Sequence, residues 1–375
     1  MNVSKADGLP KYRQILDELR KEIQMGRHKP GDRLPSEADL GVKHEVSRLT
    51  IQRVLKELQI EDLIERRAGS GTYVRRKVEV TGNLFGLLIP GLGETEIFEP
   101  ICQGMGKAGR SGGHALLWGD TAHGTADREH QARQLCADYI QRKVSGVFFA
   151  PIEFLPNKDE INVSIAEALS SAGIPVVLLD RCIQAYPERS RFDLVGIDNR
   201  RIGCRITSHL LSRGAVRPIF FDRPYSAPTV AARARGFRDA FPAGRDIQGD
   251  PSDRALVRRV MEEHAPDGIV CANDETAAKL MQSLEEVGYS VPGTVMITGI
   301  DDVRYASLLS VPLTTMRQPC MDLGAMAIHV MLSRIAQPDL PARDVLLDCK
   351  LVVRQSCGHT KSDPASRRKL EIGTV

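Results

Sequence analysis

Apolar positions in the first eighty residues recur with the period of an α-helix. They predict an amphipathic helix over residues 10–25, with a buried stripe at Tyr12, Ile15, Leu16, Leu19 and Ile23. Gly26 and the pair Pro30-Gly31 follow, and both residue types interrupt helices. The chain is therefore predicted to open with one packed helix and a turn.

Two serines mark the starts of two further helices. Ser36 is positioned to cap a second, short helix that ends in a turn at residues 43–45, and Ser47 to cap a third. The third helix has an aliphatic face and an outward face, and the outward side chains are Arg48, Leu49, Gln52, Arg53 and Lys56. Two strand-like runs around a Gly-rich turn follow between residues 63 and 74.

From residue 84 onward, short apolar runs alternate with amphipathic segments. In a first series the predicted strands cover residues 84–89, 115–118, 146–149 and 175–179, and the helices 99–111, 126–143 and 159–172. In a second series the strands cover 218–221, 268–271 and 295–299, and the helices 229–241, 253–264 and 273–287. This alternation predicts the α/β fold class, with two lobes that are each a mostly parallel sheet covered by helices. Two such lobes usually bind a ligand in the crevice at the carboxyl ends of their strands.

The outward face of the third helix has the side chains that a DNA major groove accepts. An arginine can read guanine through two hydrogen bonds, and a glutamine can read adenine. A solvated helix face is the alternative, and the helix taken alone favours it. The Gly-rich turn that follows can bring backbone amides close to phosphates. The complete order of three helices and a wing therefore favours DNA binding.

Charge is distributed unevenly along the chain. The formal net charge is only +3, but residues 1–80 contain 17 Lys and Arg against 13 Asp and Glu, whereas residues 81–358 contain 30 against 33. A basic head on a nearly neutral body suits nucleic-acid binding. Because charged solvated faces are common, the decision between the two interpretations depends on the motifs.

Several classes of site lack their sequence signals. Eight cysteines occur singly, without a C-x-x-C pair, so we expect incidental thiols, no metal and no cofactor. The G-x-G-x-x-G run at residues 104–109 falls inside a predicted helix instead of after a strand, which argues against dinucleotide binding. No apolar run reaches the roughly 20 residues that cross a bilayer, and the amino terminus lacks a signal-peptide core. We therefore expect a cytoplasmic protein without a membrane partner.

Residues 12–74 resemble the DNA-binding domain of the GntR family. Three motifs carry the resemblance in family order, at residues 30–37, 46–51 and 69–74. The resemblance implies that Arg33, Arg48, Thr50, Gln52 and the glycines of the wing face DNA. The DNA-binding set expected on this basis is Arg33, Ser36, Glu37, Ser47, Arg48, Thr50, Gln52, Arg53, Gly69, Ser70 and Gly71.

Residues 84–354 resemble the sensor region of the LacI/GalR family, which is similar to sugar-binding periplasmic proteins. The motifs that carry this resemblance include residues 175–181, 233–237 and 299–302, in family order. The resemblance implies that Arg233 and Asp274 face an effector. An arginine that donates and an aspartate that accepts together satisfy both polarities of a sugar hydroxyl.

Four further residues are weaker candidates for the effector site, because a structural role in the crevice suits each of them equally. They are Glu96, Asp180, Arg181 and Asp301. Phe98 and Trp118 could pack on the apolar face of a sugar, but a core role suits Trp118 at least as well. The chain departs from the family pattern near residues 91–98 and 118–120, which leaves the identity of the effector open. A carbohydrate is favoured, and a nucleobase or another non-sugar effector is the alternative.

The predicted domains are a winged helix-turn-helix at residues 1–76, a linker at 77–83, a two-lobed effector-binding domain at 84–357 and a flexible tail at 358–375. We expect a transcriptional regulator of the repressor type that binds double-stranded operator DNA as a homodimer. A small-molecule effector is expected to control it. An enzyme with a DNA-binding head is the competing class, and it requires a catalytic base and a nucleophile that the sequence does not identify.

Overall fold

The computed structural model describes residues 10–25, 27–29, 31–61, 63–67, 70–74, 82–89, 92, 96–119 and 128–358. The chain divides into two units, residues 1–79 and residues 80–375, which we call the head and the sensor. Most of the predicted linker at 77–83 and of the predicted tail at 358–375 lies outside the described residues.

The head contains three helices and one antiparallel hairpin. They are α1 (Lys11–Gln24), α2 (Glu37–His44), α3 (Arg48–Ile60), β1 (Ile64–Arg67) and β2 (Gly71–Val74). Ser36 and Ser47 cap α2 and α3 as predicted, since each side chain accepts a hydrogen bond from a backbone N–H of the first turn. The turn predicted at residues 43–45 is wrong at its start, because α2 continues to His44 and Glu45 leaves the helix with a φ of 51°.

The core of the head forms where α1 and α3 meet. The aliphatic face of α3 is fully buried, and it consists of Ile51, Val54, Leu55 and Leu58. Ile15, Leu16 and Leu19 of α1 are buried in the same cluster, whereas Tyr12 and Ile23 at the ends of the predicted stripe are partly buried. This packing fixes the rotation of α3, so the opposite face of the helix points to solvent.

The sensor contains two six-stranded sheets. The strands of the first are β3 (Leu84–Leu88), β4 (Ala115–Trp118), β5 (Gly146–Phe149), β6 (Val176–Leu179), β7 (Asp193–Ile197) and β13 (Asp344–Leu347). Those of the second are β8 (Pro218–Asp222), β9 (Arg245–Gln248), β10 (Gly268–Cys271), β11 (Met296–Asp301), β12 (Thr314–Arg317) and β14 (Lys350–Val352). The strand orders are β13-β7-β6-β5-β3-β4 and β14-β12-β11-β10-β8-β9, and all neighbours are parallel except β12 and β14. The predicted α/β class with two parallel-sheet lobes is confirmed.

In the part of the chain that the structure describes, eight helices cover these sheets. They are α4 (Phe98–Ser111), α5 (Arg128–Gln141), α6 (Lys158–Ser171), α7 (Asn199–Ser212), α8 (Pro228–Ala240), α9 (Arg254–His264), α10 (Asp274–Glu286) and α11 (Cys320–Ala336). No helix among the described residues is long and apolar enough to cross a membrane.

The chain passes between the two lobes three times. It leaves the first sheet after β7 and continues as α7, which packs against α8 and the strands of the second sheet. It returns after β12 as α11, which packs against α4 and the first sheet, and it crosses again between β13 and β14. The sequence analysis predicted α4 and α8, but it predicted none of the elements that flank the crossings, which are β7, α7, β12, α11, β13 and β14. The strands are too short to show a clear period, and α11 is buried on several faces and so lacks a single apolar stripe.

A buried carboxylate connects the returning segment to the first lobe. Asp193, at the start of β7, accepts hydrogen bonds from the guanidiniums of Arg334 and Arg343 at 3.0–3.2 Å. It also accepts one from the backbone N–H of Arg343 at 2.8 Å. Burial by itself raises the pKa of Asp193, but these hydrogen bonds outweigh it and lower the pKa. The end of α11 and the approach to β13 are thereby fixed beside β7.

Replacing Asp193 should destabilise the sensor strongly. We expect Asp193→Ala to lower the free energy of unfolding by about 3–5 kcal/mol, because two guanidiniums lose the carboxylate between them. Asp344→Ala is the matched control, since Asp344 pairs with Arg189 at the surface, and it should cost less than about 1 kcal/mol. Urea titrations of both variants measure the difference.

The effect of Asp193→Ala should also depend on pH. Because the folded pKa of Asp193 is lowered, its stabilising contribution is present above the unfolded pKa of about 3.9 and is lost as the pH falls below it. Equal costs for the two variants at pH 7 would contradict the role of this ion-pair cluster.

Candidate functional site

The outward face of α3 presents polar donors near its amino-terminal end. Arg48 is the first residue of the helix, and its side chain is 76% exposed. Gln52 lies one turn later on the same face. The hydroxyls of Ser47 and Thr50 are 2.9 Å apart, so Ser47 is engaged with the first turn of the helix. Ser36 is likewise engaged in a capping box with Asp39.

Glu37 holds the donors of this face together. Its carboxylate accepts hydrogen bonds from Arg48 Nε at 2.9 Å and from Gln52 Nε2 at 3.0 Å, and it forms an ion pair with Arg66 of β1. The hydrogen bonds from Arg48 and Gln52, together with the charge of Arg66, lower the pKa of Glu37. Because a carboxylate repels DNA phosphates, this geometry suits a positioning role better than the direct contact expected from the sequence.

The guanidinium of Arg33 packs against Gly71 of the β1–β2 hairpin, which is the predicted wing. Arg33 pairs with Tyr73 through an isolated antiparallel bridge. Gly71 has a φ of +128°, and a Cβ at this position would lie 2.7 Å from Arg33 Nε, so a larger residue would displace the guanidinium. The Ser70 hydroxyl lies 2.8 Å from the hydroxyl of Tyr73. Gly69, also expected in the wing, lies outside the described residues.

The structure separates Arg53 from the other expected DNA-binding residues by its contacts. The Arg53 guanidinium lies over the ring of Tyr12, 4.2 Å from its centroid, and so connects α3 to α1.

Arg66 was missed by the sequence analysis, although it belongs to the Glu37 cluster. No local pattern marks a strand arginine as the partner of a glutamate 29 residues earlier.

The sensor contains a cavity of about 230 Å³ between its two lobes. Among the described residues, seven charged side chains line it, and they are Glu96, Glu153, Asp180, Arg181, Arg233, Glu275 and Asp301. The first four belong to the first lobe and the other three to the second. Five of the seven expected effector residues are among them: Glu96, Asp180, Arg181, Arg233 and Asp301. Glu153 and Glu275 were not expected, although Glu275 directly follows the Asn273-Asp274 pair.

Asp180 and Arg181 follow directly after β6. Arg181 Nη1 lies 2.6 Å from Glu153 Oε1, and Arg181 Nε lies 3.1 Å from Asp180 Oδ2. Burial opposes the charged guanidinium, but these two carboxylates outweigh it and raise the pKa of Arg181. Asp180 has a φ of 67°, a strained backbone conformation for a residue with a side chain. Its other oxygen, Oδ1, is buried and has no hydrogen-bond partner.

Arg233 extends from α8 toward the carboxyl end of β11. The residue is 4% exposed, and its guanidinium donates to Asn199 Oδ1 at 2.8 Å and to the carbonyl of Ala272 at 2.6 Å. A third nitrogen lies 3.8 Å from Asp301 Oδ1, which also accepts from Gln318 at 2.7 Å. Burial raises the pKa of Asp301, and the charge of Arg233 opposes this shift.

Asp274 lies behind the cavity wall. It is fully buried and accepts hydrogen bonds from the Thr315 hydroxyl at 2.6 Å and from the backbone N–H of Val303 at 3.1 Å. A Cβ on Gly299 would lie 2.2 Å from Asp274 Oδ1, so the glycine leaves space for the carboxylate. Burial, reinforced by the charge of Asp301, raises the pKa of Asp274. The expectation that Asp274 contacts the effector directly is not supported by this placement, which instead suits positioning of the cavity residue Val303.

Glu96 and Phe98, two further candidates for the effector site, differ in their placement. Glu96 lines the cavity and accepts a hydrogen bond at 3.0 Å from the backbone N–H of Arg304 in the other lobe. Phe98 is buried outside the lining, with its ring centroid 5.8 Å from the Arg181 guanidinium carbon. Phe98 therefore packs beneath the site instead of facing a ligand.

Two family models match the chain. Residues 11–74 match the model described as bacterial regulatory proteins, gntR family. Residues 207–357 match the model described as a periplasmic binding protein-like domain. The chain therefore carries a GntR helix-turn-helix domain followed by a periplasmic-binding-protein-like domain, as the two resemblances predicted.

Similar proteins cover nearly the whole chain. The arabinose metabolism transcriptional repressor of Geobacillus stearothermophilus is 28% identical over 93% of this chain and 98% of its own. The ribose operon repressor of Halalkalibacterium halodurans is 24% identical over 85% of this chain and 96% of its own. A solved structure of a LacI family transcriptional regulator from Enterococcus faecalis with bound ribose is 26% identical, with a TM-score of 0.60, over 73% of this chain and 98% of that one.

Glu37→Gln should reduce discrimination between DNA sequences. We expect the free-energy difference between specific and non-specific binding to fall by about 1–3 kcal/mol, because Arg48 and Gln52 lose the group that orients them. Non-specific affinity should rise, since one negative charge is removed. Glu61→Gln is the matched control, because Glu61 pairs with Arg20 away from this cluster. Identical changes in both variants, measured on operator and scrambled duplexes at matched salt, would contradict the positioning role.

Proposed function

We propose that this chain is a transcriptional repressor whose affinity for double-stranded operator DNA is controlled by a small polar effector in the sensor cavity. The observation that carries the proposal is the likeness of 93% of the chain to a repressor of arabinose metabolism. The donors gathered on α3 by Glu37 support the DNA-binding role, and the charged cavity between two lobes supports the effector role. The similar proteins are transcriptional regulators, so we infer a binding role for the cavity instead of a catalytic one.

We infer that the effector is a carbohydrate. The cavity of about 230 Å³ is smaller than the roughly 300–1,000 Å³ of pockets for drug-sized ligands, which suits a small molecule. Carboxylates and guanidiniums in its lining match the donor and acceptor roles of hydroxyl groups. Tyr305 is the aromatic residue in the described lining, so a flat nucleobase would find little stacking surface. A pentose is consistent with the ribose bound in the similar Enterococcus faecalis structure.

We infer that the repressor acts as a homodimer in the cytoplasm, on an operator with two half-sites. One winged head offers a small contact surface, and joining two heads makes the second binding event intramolecular. A symmetric dimer matches a pseudo-palindromic operator.

Arg48→Ala should weaken operator binding by about 1–3 kcal/mol if the arginine reads a base. Lys21→Ala, a change of equal charge on α1, should leave specific affinity within a few-fold of wild type. Operator titrations at several salt concentrations measure both, and the mass of the bound species distinguishes one dimer per operator from a single bound chain. Unchanged affinity in Arg48→Ala at matched salt would remove this residue from the contact set.

Arg233→Gln should weaken binding of the effector to the sensor. A lost charge-assisted hydrogen bond of about 1.5–3 kcal/mol corresponds to a roughly tenfold to hundredfold higher Kd. Arg235→Gln is the matched control. Arg235 is on the same helix as Arg233, but its guanidinium lies over the ring of Tyr186 and outside the cavity lining. Operator titrations with and without arabinose or ribose measure the response, after circular dichroism has verified folding. A full wild-type response in Arg233→Gln would place the effector site elsewhere.

A further inference from the structure

The cavity contains more negative than positive charge. In the part of the lining that the structure describes, five carboxylates, from Glu96, Glu153, Asp180, Glu275 and Asp301, stand against the two guanidiniums of Arg181 and Arg233. Glu275 is compensated at the rim, where it pairs with Lys279 and lies 3.8 Å from Arg223. Glu96 is exposed, so among the described residues three carboxylates, from Glu153, Asp180 and Asp301, remain in the interior against two guanidiniums.

Both guanidiniums are already engaged within the cavity wall. Arg181 is held between Glu153 and Asp180, at 2.6 and 3.1 Å. Arg233 donates to Asn199 and to the carbonyl of Ala272, and it is 3.8 Å from its nearest carboxylate. The remaining negative charge is evident at Asp301, where burial raises the pKa and the charges of Asp180 and Glu153 raise it further. The interior therefore favours a ligand that brings positive charge.

Asp180 provides an acceptor without a partner. The residue is 7% exposed and lines the cavity, and its Oδ2 pairs with Arg181. Its Oδ1 is buried and accepts no hydrogen bond from the described protein. A buried acceptor without a donor is unfavourable, so this oxygen is suited to a donor on the ligand.

We propose that the effector is a polyhydroxylated amine, such as an amino sugar, whose ammonium group is bound by Asp180 among the carboxylates of the cavity. This inference rests on the proposed function, which places the effector in this cavity, and it specifies the charge of the effector. An ammonium group supplies both donors and a full positive charge, whereas a hydroxyl supplies one donor and leaves the excess of carboxylates uncompensated. Sugar phosphates and sugar acids are disfavoured by the same charges.

Matched pairs of sugars test the charge of the ligand on the full chain. Ribose is compared with its 2-amino-2-deoxy derivative, and arabinose with its 2-amino-2-deoxy derivative, by thermal shift and calorimetry. The N-acetyl forms retain the nitrogen without its charge, and arabinonate and ribose 5-phosphate carry negative charge. We expect each amine to bind at least about tenfold more tightly than its neutral and N-acetyl counterparts, and the anions to bind more weakly still.

Two variants assign the preference to the cavity. Asp180→Asn should abolish the preference for the amines, because the charge next to the ammonium group is removed. Asp339→Asn is the control, since Asp339 is exposed in the turn after α11, and it should retain the preference. The comparison of ligands on the wild-type protein decides the proposal even if Asp180→Asn does not fold.

Three outcomes would overturn the proposal, and they are distinguishable. Neutral sugars that bind as tightly as the amines would refute the cationic effector and leave the proposed function intact. Absence of binding by either series up to about 10 mM would count against a carbohydrate effector as well. Stabilisation by Ca²⁺ or Mg²⁺ alone that Asp180→Asn removes would assign the negative charge to a metal site.

Discussion

A carboxylate removed from water requires a partner, and this constraint explains the main features of the sensor. Asp193 is fully paired with Arg334 and Arg343, so its burial strengthens the first lobe. Asp274 receives two hydrogen bonds and supports the wall of the cavity. Asp180 is only half satisfied, since one of its oxygens has no partner. Complete pairing accompanies a structural role, whereas the proposed ligand contact rests on the incomplete pairing of Asp180.

The crossings of the chain connect ligand binding to the arrangement of the lobes. Both lobes contribute charged residues to one cavity, so a ligand bound in the proposed site would contact the two lobes at once. Direct contacts between the lobes flank it, where Glu96 accepts from the N–H of Arg304 and Phe154 N–H donates to the carbonyl of Tyr225 at 2.8 Å. A ligand that fits one arrangement of the lobes better than others shifts the population toward it. A difference in the affinity of the ligand for two arrangements of the lobes is sufficient for an effector to control the protein.

The head uses the same chemistry at its surface. Glu37 gathers Arg48, Gln52 and Arg66 before any DNA is present, so part of the entropy cost of fixing these side chains is met in the free protein. The carboxylate also moderates the positive charge of the face. If Arg48 and Gln52 read bases as proposed, this charge reduces affinity for phosphates and leaves the geometry of the two side chains in place.

Features that depend on local order along the chain could be predicted from the residues alone. Helix periodicity and capping serines determined α2 and α3, alternation of apolar runs determined the α/β class, and motif positions indicated Arg233 and Asp180. Which charged side chains meet follows from tertiary folding alone, because these pairs join distant segments. Asp193 and Arg334 are 141 residues apart, and Arg66 reaches Glu37 across 29. Tertiary folding also placed Asp274 behind the cavity wall and Glu153 in the cavity lining. A sequence pattern records the type of a side chain but not the neighbours that surround it after folding.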